Sequence, residues 1–369
     1  MKICLISVEI FAWGKYGGFG RATRTIGREL VQRGHDVFAV VPRRMDQLRV
    51  EQLDGITVYG FSPWNPGEAF EMFKDINPDV CHSCEPSYTT VLAMRALPSS
   101  CHMVTFRDPR DKHDWWLELK KPSLNYLQVM HNYLFENNPL VRHSIRMMDG
   151  VFTIGNYLVP KVKQMYNLDT DPIFLPTPVK VPEKIIKASK PTVCYIARLD
   201  RRKRPELFLD LAAKFPDVDF IVLGKSRDKK WEQRLRNKYE SLPNLQLLGF
   251  IDQFSNPVHD ETLERSWVLV NTATREALPN SFIEATAHSC AILSEVDPDG
   301  FASKFGYHAA RGDFETGLRY LLNDDNWRGH GQQAYQYTLE TFETSRSIDL
   351  HEKYYASLLD HRINKTNIN

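Results

Sequence analysis

Two tandem, doubly wound Rossmann-like α/β domains are predicted by three observations. Short apolar, β-branched runs alternate with amphipathic helical runs along almost the whole chain, the pattern of parallel sheets with crossover helices. The pattern restarts after Pro176-Thr177-Pro178-Val179-Lys180-Val181-Pro182, the composition of a stiff connector. The length of 369 residues also exceeds what one hydrophobic core usually supports. The connector lies near 176–190, giving a first domain over 1–185 and a second over 186–345, with a last helix at about 346–369 returning to the first domain.

The elements follow in order. Residues 2–8 read as a strand, too short for a signal-peptide core and followed by Glu9. A helix over 21–33 stops at Gly34, a helix-ending residue. Strands are expected at 36–41, 56–59, 80–82 and 102–105, with helices at 70–76 and 89–97. Residues 107–149 break the rhythm, with no clear strand and many aromatic and basic residues: Trp115, Trp116, Lys120, Lys121, Tyr126 and His131 among them. Alternation resumes with a strand at 151–154, a helix at 157–165 and a strand at 173–175. In the second domain, strands fall at 192–196, 219–223, 245–247, 266–271 and 291–294, with helices at 205–215, 229–240 and 281–289 and more helix to the end.

Composition narrows the function classes. The chain is 42% hydrophobic and 25% charged with a net charge of +1, ordinary for a globular protein and contrary to bulk nucleic-acid binding. Of six cysteines the one close pair is Cys81-His82-Ser83-Cys84; a lone C-x-x-C is weak evidence for zinc or redox chemistry, and reduced, buried thiols in a cytoplasmic protein are expected instead. No run has the length of a membrane span, so any membrane contact would be peripheral, at the inner face.

Three stretches carry candidate chemistry. In Glu276-Ala277-Leu278-Pro279-Asn280-Ser281-Phe282-Ile283-Glu284 a strand passes through a loop into a helix, with Asn280 and Ser281 as candidate N-caps and Glu284 in the first turn. Two readings of Glu284 stay open. The helix N-terminus suits an anionic or hydroxyl-rich ligand, and Ser281-x-x-Glu284 is also a capping box. The second stretch, Gly14-Lys15-Tyr16-Gly17-Gly18-Phe19-Gly20, follows a strand and opens a helix, where N–H groups are able to cradle a phosphate. It fits a dinucleotide fingerprint poorly, although Arg43-Arg44 after the second strand would suit an NADP phosphate; a plain surface turn is the third possibility. The last stretch, Arg198-Leu199-Asp200-Arg201-Arg202-Lys203, lies at a strand's carboxyl end, where a guanidinium and an ammonium would clamp a diphosphate or simply form a solvated basic turn.

Taken in order, Gly17-Gly18-x-Gly20, Gly34-His35-Asp36-Val37, Asn77-Pro78-Asp79-Val80, Arg198-Leu-x-x-x-Lys203, Leu248-Gly249-Phe250-Ile251, Glu276-x7-Glu284 and Gly312-Asp313 resemble the retaining glycosyltransferases of family 4, also described as glycosyl transferases group 1. The resemblance covers nearly the whole chain, least well over 107–149 and after 325. It implies the GT-B fold, two Rossmann-like domains facing across a cleft, and a metal-independent hexosyltransferase without a cofactor. Its partners would be a nucleotide diphosphate sugar and a hydroxyl acceptor of unspecified class. By resemblance, Arg198 and Lys203 hold the donor diphosphate, Glu276 the sugar hydroxyls and Glu284 the ribose. Backbone at Leu278, Asn280 and Ser281 lies near the donor, Ile251 near the base, and Gly17 and Gly18 near the phosphates. Position assigns Lys15, Tyr16, Asp108, His113, Trp115 and Trp116 to the acceptor, and three readings of Trp115-Trp116 with Lys120-Lys121 stay open: stacking on a sugar, lying at a lipid interface, or a helix buried against the domain.

The sequence departs from the family pattern where a histidine commonly follows the strand at 102–105; here Arg107 stands. An arginine stays protonated and cannot act as a base, so Arg107 is assigned to binding of donor or acceptor charge, or His113 replaces the histidine. Ala197 and Arg204 stand where glycines are usual. A catalytically silent sugar-nucleotide-binding subunit is the alternative these departures motivate, and an NADP oxidoreductase a more distant one.

Overall fold

The computed structural model describes residues 1–14, 16–44, 46–120 and 126–366, and they form two compact units. The first contains β1 (Lys2–Ile6), α1 (Gly18–Gln32), β2 (Asp36–Pro42), β3 (Val50–Leu53), β4 (Ile56–Phe61), α2 (Gly67–Ile76), β5 (Val80–Ser83) and α3 (Tyr88–Ala96). It continues with β6 (Cys101–Phe106), α4 (Lys112–Lys120), α5 (Tyr126–Glu136), α6 (Pro139–Arg146), β7 (Gly150–Thr153), α7 (Leu158–Tyr166) and β8 (Ile173–Phe174). The sheet order is β3-β4-β2-β1-β5-β6-β7-β8. All pairings are parallel except β3 with β4.

The central strands are apolar throughout because both faces are covered. From β1, Ile3 and Leu5 pack with Ile26 and Leu30, whereas Cys4 and Ile6 pack with Met72 and Phe73. The β3–β4 hairpin turns on Asp54 and Gly55, both at positive φ, a favoured two-residue turn; β3 was not expected. Residues 107–149, which gave no strand, supply three helices.

The first unit is completed from the far end of the chain. The C-terminal helix Thr344–Thr366 adds Ile348 and Tyr355 to the core beside Ile3 and Leu5. Its polar groups fasten it as well. Tyr355 hydroxyl lies 2.8 Å from His82 Nδ1, whose Nε2 is 2.8 Å from Thr105 Oγ1. Arg33 pairs with Glu352 at 2.6 Å and Arg362 with Asp149 at 2.6 Å.

The second unit runs from Val179 to Glu343, and Lys120 at the end of α4 groups with it. It comprises β9 (Thr192–Ile196), α8 (Pro205–Lys214), β10 (Asp219–Leu223), α9 (Lys229–Tyr239), β11 (Leu245–Gly249), α10 (Val258–Arg265) and β12 (Val268–Asn271). After these come α11 (Asn280–Ala287), β13 (Ala291–Ser294), α12 (Phe301–Lys304), β14 (Gly306–His308), α13 (Phe314–Leu322) and α14 (Asn326–Thr341). The sheet, ordered β11-β10-β9-β12-β13-β14, is parallel throughout. Tyr195, Phe208, Phe220 and Trp327 anchor the core on one face.

Both sheets reverse direction of growth at their first strand, β1 between β2 and β5 and β9 between β10 and β12. Ligand crevices in open α/β sheets form outside the carboxyl ends of strands at such a reversal. In the second unit this places the turns at 197–204 and 272–279 side by side.

Candidate active site

Those two turns are tied together by side-chain hydroxyls bonded to backbone carbonyls. The Thr272 hydroxyl lies 2.6 Å from the Lys203 carbonyl oxygen and 2.9 Å from that of Arg204, and the Tyr195 hydroxyl donates to the Lys203 carbonyl at 3.2 Å. Arg204, standing where a glycine was expected, sits at φ 46°, a left-handed conformation that is costly for a side-chain-bearing residue. Hydrogen bonding of its Nε to the Thr272 carbonyl at 2.6 Å and an ion pair with Glu295 hold it there. The basic turn is therefore built into the sheet edge, not loosely solvated.

This framework brings Lys203 Nζ onto the Glu276 carboxylate as an ion pair, with only 13% and 16% of the two side chains exposed. Arg198, more exposed, lies 3.4 Å from Asp200. A cation, a second cation on the same turn and a hydroxyl-accepting carboxylate thus share one edge, which is the charge pattern a sugar diphosphate needs.

Glu284 is placed differently from the capping box. The N-cap of α11 is Pro279, with no side-chain capping bond, so Asn280 and Ser281 stand inside the first turn and Glu284 one residue beyond it. Its Oε2 lies 3.4 Å from His259 Nε2, and the carboxylate is nearly buried. His259 Nδ1 lies 3.0 Å from Asp260, and that hydrogen bond holds the Asp260 carboxyl below its ordinary range despite partial burial. His259 was missed in the sequence, being 25 positions away from Glu284 on α10. The Leu278 side chain is core, 3% exposed, leaving only its backbone for a ligand. Ile251 is half-buried on the loop after β11.

In the first unit the glycine loop has an internal occupant. Gly20 N–H donates to Glu9 Oε1 at 3.2 Å, and a Cβ on Gly17 would stand 2.0 Å from that same oxygen. A Cβ on Gly20 would meet the Phe11 nitrogen at 2.8 Å. Gly20 is thus required by the protein's own backbone, whereas at Gly17 only the flexible Glu9 carboxylate would have to move; the Gly20 N–H is taken by that carboxylate, a correction to its phosphate-cradle reading. Gly17 is the N-cap and Gly18 the first residue of α1. Tyr16 packs edge-on against Phe11, centroids 5.0 Å apart; Lys15 lies outside the described residues.

Arg107 also requires correction. It is 3% exposed, and its Nη1 donates to Thr177 Oγ1 at 2.9 Å. The guanidinium is an internal group of the unit, not one offered to a ligand. The Arg107 and Asp108 N–H groups donate to Glu85 Oε2 at 2.7 and 3.2 Å, while burial pushes the Glu85 carboxyl up to about 8. Trp115, assigned to the acceptor, is 4% exposed, packed between Arg110 and Tyr133. His113 and Trp116 are exposed and stack on each other at 5.8 Å, and Asp108 pairs with Arg110 at 3.8 Å. All six cysteines are free and buried.

Two family models match adjoining parts of the sequence, Glycosyltransferase Family 4 over residues 16–179 and Glycosyl transferases group 1 over residues 179–309. The chain belongs to the family 4 glycosyltransferases. No curated protein sequence matches this glycosyltransferase, but its fold does have solved counterparts among GT-B glycosyltransferases. Sucrose-phosphate synthase from Thermosynechococcus elongatus is similar at a TM-score of 0.72 and 15% identity, over 97% of this chain and 99% of that one. Anabaena HepE, solved with UDP and glucose, gives 0.69 and 11% over 97% and 100%. A glycosyltransferase from Rickettsia africae ESF-5 gives 0.68 and 14% over 97% and 98%. Among the described residues of this glycosyltransferase, no helix is long and apolar enough to cross a membrane, and no group of three or more His, Cys, Asp or Glu forms a metal-binding cluster.

Proposed function

We propose that this glycosyltransferase moves a hexose-type sugar from a nucleoside diphosphate to an acceptor hydroxyl, with retention at the anomeric carbon. The observation that carries the proposal is the Lys203–Glu276 pair at the reversal point of the second sheet, with Arg198 on the same turn. As the bond from the anomeric carbon to the diphosphate oxygen breaks, Arg198 and Lys203 stabilise the negative charge growing on the leaving phosphate. Glu276 accepts hydrogen bonds from sugar hydroxyls. Glu284, beside His259, accepts from the ribose, and the backbone at Leu278, Asn280, Ser281 and Ile251 meets the rest of the donor. The acceptor proton passes to the departing phosphate, so no side-chain base is needed and the internal position of Arg107 is no obstacle.

The two protein cations take the part a divalent metal would play, and turnover is expected to be the same with and without EDTA. His113 and Trp116 are the exposed candidates for acceptor contact. HepE binds UDP-glucose, which makes that compound the first donor to try. The test is turnover of UDP-, GDP- and ADP-sugars by the parent and by Glu276→Ala and Lys203→Ala proteins of matched circular dichroism. Undiminished turnover in both variants would overturn the proposal. A silent donor-binding subunit is the competing reading, and donor hydrolysis that depends on Glu276 excludes it.

A further inference from the structure

Helices α4 and α5 present an apolar surface that the first unit leaves uncovered. Along α5, Leu127 is 85% exposed, Tyr126 64% and Leu134 61%, with Met130 and Tyr133 also exposed, whereas Val129 is buried. On α4, Trp116 and Leu119 are each about half exposed. The two helices are held together by Trp115 against Tyr133, centroids 5.3 Å apart, and by Arg110 with Glu136 at 3.5 Å. A contiguous apolar surface of this kind is unusual on a protein that remains in water.

Among the described residues of the two helices the fully exposed charges are those of Lys112 and Lys120, while Glu136 is half-buried against Arg110 and Asp111, just before α4, pairs with Lys161. Both acids of α4 turn inward: Glu118 is 3% exposed, and Asp114 is buried and paired with Lys161. Lys112, His113 and Lys120 are exposed on the same helix. In α5 no acidic residue precedes Glu136, its last. Apolar side chains flanked by aromatic rings and cations match the boundary between acyl chains and anionic headgroups. A symmetric pairing with a second copy would instead bring lysines of both copies into one interface.

We propose that the α4–α5 face docks this protein on an anionic lipid surface. The inference shares His113 and Trp116 with the acceptor contact proposed above but does not depend on that reading, and the variants that test it leave both residues and the turns at 197–204 and 272–279 unchanged. The test is co-sedimentation of the full chain with phosphatidylcholine vesicles, with and without phosphatidylglycerol. Binding is expected to be at least about tenfold stronger with phosphatidylglycerol, at about fivefold per cation, and to weaken with salt. A Leu127→Ser/Leu134→Ser protein should bind about tenfold less while keeping the parent's Tm and its shift with UDP. Lys112→Glu/Lys120→Glu should lose the preference for phosphatidylglycerol. Equal binding to both vesicle types, or binding to neither, overturns the proposal. So does a dimer, seen by light scattering, that the double serine variant dissociates.

Discussion

Lys203 and Glu276, 73 positions apart, meet as an ion pair at the carboxyl edge of the second sheet. The carboxylate therefore competes for the very ammonium proposed to hold a diphosphate. Glu276→Ala is expected to bind UDP at least as tightly as the parent, yet to lose about 100-fold or more in UDP-glucose turnover, the scale of a lost transition-state contact. Lys203→Ala should lose both. Calorimetry with UDP alongside turnover separates the two outcomes, and weaker UDP binding in Glu276→Ala would mean the pair is purely structural.

Glu284 makes a second, independent prediction. With Pro279, which has no capping side chain, at the N-cap of α11 and His259 beside the carboxylate, Glu284→Gln should weaken UDP binding about tenfold, near the value of a hydrogen bond to a charged group. The variant should also discriminate less than the parent between UDP and its 2′,3′-dideoxy analogue. A drop in Tm with unchanged affinity would restore a structural role.

Arg107 should behave as a core residue. Arg107→Met removes a buried cation from beside Glu85 and Thr177 and is expected to lower Tm by several degrees, because breaking an internal polar cluster costs on the order of 3 kcal/mol. UDP affinity per folded molecule should not change. A selective loss of UDP affinity at unchanged Tm would return Arg107 to the ligand-binding residues.

The first unit's pH response has two opposed components. Burial lowers His351 from 6.5 to about 4, and lowers His82 in the same direction. Such histidines stay neutral when folded and take up protons when unfolded, so their contribution is complete above pH 6.5 and lost as pH falls toward 4. For His351 the loss is on the order of 3 kcal/mol. Burial raises Glu85 from 4.5 to about 8, so the folded state keeps a proton that the unfolded chain releases, and stability falls as pH rises between those values. In Tm measured against pH, His351→Gln should flatten the acidic side and Glu85→Gln the side from about 6.5 to 8. Unaltered profiles would show that neither group is linked to folding.

Much of this was legible in the sequence, for identifiable reasons. The buried strands announce themselves as unbroken apolar runs such as Cys4-Leu5-Ile6 and Val268-Leu269-Val270, and each candidate in the second unit lay just after one of them. The strand β3 was missed because its residues are half exposed at a sheet edge and lack an apolar run, although Asp54-Gly55 marked the hairpin. The helices α4 and α5 gave no helical stripe, since in α5 apolar side chains face solvent as well as the core. The roles of Glu9, His259 and Arg107 depend on tertiary neighbours, Gly20, Glu284 and Thr177, that no local pattern specifies. Proline stands at the N-cap ahead of the better capping residues that follow it, and Glu284 lies beside His259 instead of at the N3 position of a capping box.

The C-terminal helix carries a consequence for synthesis. Tyr355 and Ile348 complete a core whose other members begin at Ile3, so a ribosome must make nearly the whole chain before that core can close. Apart from Lys120, the second unit is one continuous stretch from Val179 to Glu343, free to fold as it emerges. The part translated later should therefore finish first, and nascent chains arrested after a flexible linker long enough to carry Glu343 clear of the ribosome should be cut by protease in the first unit while the second resists.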